Sequence, residues 1–149
     1  MKRTVSTSFL SAAILLLGCS TSSLALDIPE EVDINLQSSN PSLQTMGKDS
    51  KTVPAFSHAK HAGTILQNNS SHVSRSYDQQ FSCTACHPGA ESNETVHSEA
   101  TQQRQVEEVE SAGSVKKYMH GLCLDCHKSM KKAELATGPT SCRGCHNPA

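Results

Sequence analysis

Apolar residues are spread unevenly along this chain, and their spacing divides it into segments before any chemistry is considered. Lys2 and Arg3 precede an apolar run from Phe9 to Leu17. A positive start followed by a short apolar stretch makes residues 1–25 an export signal, because a bilayer span takes about 20 apolar residues. Val32, Ile34 and Leu36 alternate with polar residues, the period of a short strand. The rest of residues 26–52 is acidic and polar, and the Ser, Asn, Pro and Gly between Ser38 and Ser50 predict a linker or wide turn with little to bury. Val53 to His61 leads into a domain over residues 53–149, in which two stretches read as insertions. Residues 63–80, rich in Asn, Ser and Gln, predict a surface loop. Residues 91–113 hold few apolar side chains besides Val96, Val106 and Val109, and predict an exposed helix or mobile segment ending near Gly113. Ser129 to Ala136 contains good helix formers and is expected to stop at Gly138-Pro139.

Composition sharpens this picture. Apolar residues are 36%, aromatics 3%, and Trp is absent. A domain of this size usually draws on roughly 45–50% apolar residues, Gly included. So few large side chains offset chain entropy poorly, so something other than side chains is expected to fill the interior. Seven cysteines and eight histidines direct attention to a cofactor. Charge is also uneven: residues 27–112 carry five Lys/Arg and twelve Asp/Glu, and residues 113–149 carry six and two. Lys116, Lys117, Lys131 and Lys132 are either a steering face for an acidic redox partner or ordinary solubilising lysines.

Two processing sites compete at the end of the signal. Leu16-Leu17-Gly18-Cys19 resembles a lipobox, with Cys19 diacylated as the mature N-terminus, and this site explains why Cys19 is the one cysteine outside a pair. Ser23-Leu24-Ala25 is a small-residue site of the ordinary kind. Either one places the mature chain outside the cytoplasm, in the periplasm, with a lipid anchor in the first case.

The other six cysteines fall in one pattern repeated three times: Cys83-Thr84-Ala85-Cys86-His87, Cys123-Leu124-Asp125-Cys126-His127 and Cys142-Arg143-Gly144-Cys145-His146. Cys-x-x-Cys-His is the pattern of c-type haem attachment. Two thiols three positions apart capture the two vinyl groups as thioethers, and the following imidazole turns under the ring as an iron ligand. The tether retains a cofactor that a small fold cannot enclose. Structural zinc takes four ligands, so three pairs would strand one, and it gives no reason for a His after every pair. Disulfides suit the compartment but leave the histidines unexplained. A thioredoxin-like motif would occur once, in a βαβ setting. Three c-type haems are therefore expected.

Each iron needs a sixth ligand or an open position, and five further histidines are available: His58, His61, His72, His97 and His120. His58 and His61 are three apart and share one side of a helical turn, from which they can serve two haems. His120, just before Cys123, is expected to ligate a neighbouring haem instead of the one tethered beside it.

The chain resembles the class III multihaem cytochromes c, most closely the trihaem cytochrome c7 subgroup related to the tetrahaem cytochrome c3. The resemblance rests on Phe56-x-His58-x-x-His61, Met119-His120-Gly121-x-Cys123-x-x-Cys126-His127, and Met130-Lys131-Lys132 followed by Gly138-Pro139-Thr140-x-Cys142-x-x-Cys145-His146. It implies a small, mostly α and irregular fold with a short N-terminal β-hairpin, wrapped around three haems. It also implies histidine pairs on each iron: His58 with His87, His61 with His127, and His120 with His146. His72 and His97 lie in expanded spacings and receive no role from it.

Two imidazoles close both faces of an iron and hold it at low potential, since methionine is the ligand that raises potential. The expected function is an electron carrier between other redox proteins, with no nucleic acid partner and no catalytic residues. A small reductase of a metal ion, sulfur species or oxyanion is the alternative, and it would need an open axial site. A haem sensor or accessory subunit, docking through residues 91–113, is a third reading.

Overall fold

The computed structural model describes residues 28–46 and 51–146. The expected export signal, Cys19 with its lipobox and the Ser23-Leu24-Ala25 site all lie outside them, as do residues 47–50 of the expected linker. Strand β1 (Val32–Ile34) pairs antiparallel with β2 (Val53–Phe56), with Val32 opposite Phe56 and Ile34 opposite Val53. An irregularity between those pairs goes with Ala55 at φ 51°, whose N–H donates to Asp33 Oδ1 at 2.9 Å. This antiparallel pair is the short β element that the resemblance implied, but the strand expected from Val32, Ile34 and Leu36 ends at Ile34, and Leu36 opens a helix.

The segment between the strands departs from the linker reading. Asn35 caps α1 (Leu36–Ser39) by accepting from the Ser38 N–H, and Asn40 caps a 3₁₀ turn (Pro41–Leu43) by accepting from the Ser42 N–H. Pro41 opens that turn, where its missing N–H costs nothing. Leu36 and Leu43 are buried, Leu43 completely, and the buried Asn40 side-chain amide donates to the Gln102 carbonyl at 3.0 Å. The stretch that looked as if it had little to bury thus supplies part of the core.

Its partner is the segment expected to be exposed or mobile. Helix α2 (Glu99–Ala112) starts at Ser98, whose hydroxyl accepts from the Thr101 N–H, and ends at Gly113, which adopts the left-handed φ of 80° that favours glycine. Val106 and Val109, three apart, lie on one face and are buried. With Leu36, Leu43, Val115 and Tyr118 they form the main apolar cluster, edged by Met46, Ala112, Met119 and Leu122. The helix is there, but one stripe of it faces inward.

Two further stretches are helices carrying π-turns. Residues His58–Lys60 (α3), a π-turn (His61–Ile65) and Leu66–Asn68 (α4) run on without a break. So do Val115–Met119 (α5), a π-turn (His120–Leu124) and Asp125–Lys132 (α6). The first run and the 3₁₀ turn Ser70–His72 give residues 63–80 more order than a surface loop. Arg75 then pairs with Glu108 of α2 and donates to the Tyr118 hydroxyl at 3.2 Å, tying this insertion to the core. Helix α6 stops short of Gly138-Pro139. Glu134, at φ 58°, reverses the chain, with the Leu135 N–H donating to Met130 O and the Glu134 N–H to Lys131 O. A last short helix, α7 (Cys142–His146), packs near β2.

Candidate functional site

Each Cys-x-x-Cys-His segment occupies a turn that folds its histidine back towards its thiols. In the first, the Cys86 and His87 N–H groups both donate to the Cys83 carbonyl, at 3.1 and 2.8 Å. The second runs from the π-turn into α6, and the third is α7 itself. Residues three and four apart share a helix face, so in these two the second thiol and the histidine lie on the side of the first thiol. All six thiols are free. Burial, followed by the neighbouring thiols of Cys86, Cys145 and Cys126, pushes the Cys123 thiol up to about 12. Those neighbours come from all three segments. Among the described residues no three His, Cys, Asp or Glu side chains are grouped as ligands of a bare metal ion.

The histidines are held in a common manner. His87 Nδ1–H donates to the Val96 carbonyl at 3.1 Å, His127 to Pro139 at 2.9 Å, His146 to Thr52 at 3.0 Å, and His61 to Ser57 at 2.8 Å. A carbonyl only accepts, so each of these rings carries its proton on Nδ1 and presents the Nε2 lone pair. That is the tautomer a metal requires, with the partner that orients ligating imidazoles. Burial lowers the His61 pKa, against the Ser57 hydrogen bond. Burial, then nearby His97 and His58, lowers that of His87. Both shifts favour the neutral, ligating form. No residue pattern marks these carbonyl partners, because any residue type supplies one.

Two of the three expected ligand pairs are close together. The ring centroids of His58 and His87 are 6.5 Å apart, and those of His61 and His127 are 6.3 Å apart. His58 Nδ1 is buried with no hydrogen-bond partner, a polar atom left for a non-protein neighbour. His146 is placed by Thr52, but among the described residues no ring contact joins it to His120. His120 opens the second π-turn just as His61 opens the first, and such turns are frequent at functional sites. Gly63 and Gly121, one in each π-turn, face open space where an added Cβ would meet nothing within 4 Å. Each π-turn is therefore uncovered on its glycine's side.

The two unassigned histidines part company. His72 Nδ1 shares a hydrogen bond of 2.9 Å with Ser129 Oγ and pins its 3₁₀ turn to α6, a structural task. His97 lies edge-on to His87, with centroids 5.5 Å apart.

Residues 34–146 match the model of the class III cytochrome c family. No curated protein and no solved structure matches the chain. The matched stretch contains all three attachment segments and every histidine discussed above, so this chain belongs to the class III cytochromes c, a multihaem electron-transfer protein that uses c-type haem and exchanges electrons with redox partners.

Proposed function

We propose that this chain is a periplasmic electron relay carrying three covalently attached, low-potential haems, each held by two histidines, in the manner of cytochrome c7. The observation that carries the reading is the spacing of the histidine pairs. A metal–imidazole bond is about 2.0–2.1 Å long, and an imidazole nitrogen lies about 1.1 Å from its ring centre, so two rings on one iron have centroids about 6.3 Å apart. The pairs His58–His87 and His61–His127 stand at 6.5 and 6.3 Å. His120 and His146 are the remaining candidates for the third iron. His146 is already oriented by Thr52.

Bound haem supplies one-electron chemistry at iron, and the chain decides how that iron is held. Cys83, Cys86, Cys123, Cys126, Cys142 and Cys145 provide the six thiols for attachment. Nδ1–H bonds to backbone carbonyls fix ring orientation and make Nε2 a stronger donor, which favours the ferric state and lowers the potential. Filling both axial positions leaves a substrate no place to bind, which supports a carrier over a reductase. Secretion through the 1–25 signal would bring the chain to the periplasm, and diacylation at Cys19 would anchor it to a membrane.

Intact mass of the periplasmically expressed protein tests the haem count and the processing site together. Three haems are expected, with a mass step for acylation at Cys19 or a start after Ala25. Carbon monoxide tests the ligation. A fully six-coordinate protein leaves the reduced spectrum unchanged, whereas binding at any iron would favour the reductase alternative.

A further inference from the structure

The Gly138-Pro139 dipeptide lies between the second and third attachment segments, and both of its residues make contacts closer than a loop of exposed residues requires. A Cβ on Gly138 would stand 2.5 Å from Cε1, 3.0 Å from Nε2 and 3.1 Å from Nδ1 of His127. Gly138 does not have the positive φ that would call for glycine on backbone grounds, so the His127 ring is the reason no side chain fits. The ring has little freedom to yield, because its Nδ1–H is bonded to the Pro139 carbonyl at 2.9 Å. Thr137 Oγ1 also donates to the His127 carbonyl at 3.2 Å. On its other side Pro139 rests against the third segment. A Cβ on Gly144 would stand 2.6 Å from Pro139 Cβ, and Cys145 Sγ lies 3.8 Å from the Pro139 carbonyl.

We propose that Thr137-Gly138-Pro139 is a positioning clip that sets the plane of the His127 imidazole and couples it to the third attachment helix through Pro139 and Gly144. Two contacts on one imidazole and a third on its backbone carbonyl, from three successive residues, are more than a connecting loop needs. The oxygen that orients His127 belongs to the residue that packs on Gly144. A displacement of Pro139 by the third segment is therefore passed to the ligand of the second iron. In the other two segments the position matching Gly144 holds Ala85 and Asp125, so haem attachment itself tolerates a side chain there.

This inference rests on His127 being an iron ligand, and the experiment separates the two claims. Low-spin ferric electron paramagnetic resonance spectra and stepwise reduction potentials are recorded for the mature wild type, His127→Met, Gly138→Ala and Gly144→Ala. His127→Met identifies the second haem by the one signal it replaces. If it replaces none, the ligand reading itself fails. If it replaces one, the clip requires that Gly138→Ala and Gly144→Ala both shift that same signal, and that Gly138→Ala leave the other two in place. The expected change in that haem's oxidised-to-reduced ratio is about tenfold at the wild-type midpoint, equivalent to 59 mV for one electron. Should Gly138→Ala fail to mature, Gly144→Ala decides alone. A Gly144→Ala protein whose second-haem signal and potential match the wild type, whatever its thermal stability, overturns the proposal.

Discussion

Replacing Leu43 by alanine tests whether the segment between the two strands is core or connector. Leu43 is fully buried among Leu36, Val106, Val109, Val115 and Tyr118. The substitution removes three buried carbons, at about 0.8 kcal/mol each, for a transfer loss of about 2.4 kcal/mol. The cavity left behind adds up to about 2 kcal/mol more, depending on how far its walls relax. We therefore expect a loss of about 2.5–4.5 kcal/mol. For about 115 described residues that is about 4 °C of melting temperature per kcal/mol, or about 10–18 °C. The six cysteines lie outside this cluster, so the haem content and visible spectrum of the mature protein should not change. Thermal denaturation of Leu43→Ala beside Leu135→Ala is the assay, since Leu135 is 44% exposed and its truncation should cost within about 0.5 kcal/mol. A Leu43→Ala loss no larger than that of Leu135→Ala would return this segment to the status of a linker.

Three other outcomes follow from the same structure. Glu108→Gln leaves the Arg75 guanidinium, 20% exposed, without its carboxylate, and should cost about 1–3 kcal/mol in urea denaturation, whereas an effect near zero would mean the pair is merely a surface contact. Glu134→Gly relieves a left-handed backbone at a residue with a Cβ and should raise stability by about 0.5–1 kcal/mol, measured by melting temperature; a loss would show that the Glu134 side chain matters more than its φ. His61 and His87 are held below the usual 6.5, so below that pH the unfolded chain binds more protons than the folded one. Stability is then full above about pH 6.5 and is lost as pH falls through the lowered folded values. Denaturant midpoints equal at pH 7.5 and 5.5 would contradict this.

The chemistry is legible in the sequence because three Cys-x-x-Cys-His copies have few competing explanations, and Gly113 marks the end of a stretch that reads as either an exposed helix or a mobile segment. The core is not legible in this way. Leu43 stands alone among Ser, Asn and Gln, and no periodicity announces it. Val106 and Val109 mark a narrow stripe that becomes continuous with Val115 and Tyr118 only after the chain reverses at Gly113. The end of α6 was misplaced because a glutamate, not a glycine, takes the left-handed position there. The π-turns at His61 and His120 leave no compositional trace, since one extra residue per turn changes hydrogen bonding and not residue type. The pairing of His58 with His87 and of His61 with His127 came from the family resemblance, and the ring distances are consistent with it.

From Val115 to Lys132 the backbone is one unbroken helical rod of 18 residues, about 27 Å long. On the proposed ligation it carries His120 as an iron ligand of one haem, and for another haem the attachment thiols Cys123 and Cys126 with the iron ligand His127. Adding or deleting a single residue between these groups would rotate one set against the other by about 100°. The interval between two redox centres is thereby written into a covalent count of residues. Partner docking or warming that loosens the surrounding loops would leave it unaltered, and tolerance to insertions should vanish between His120 and His127.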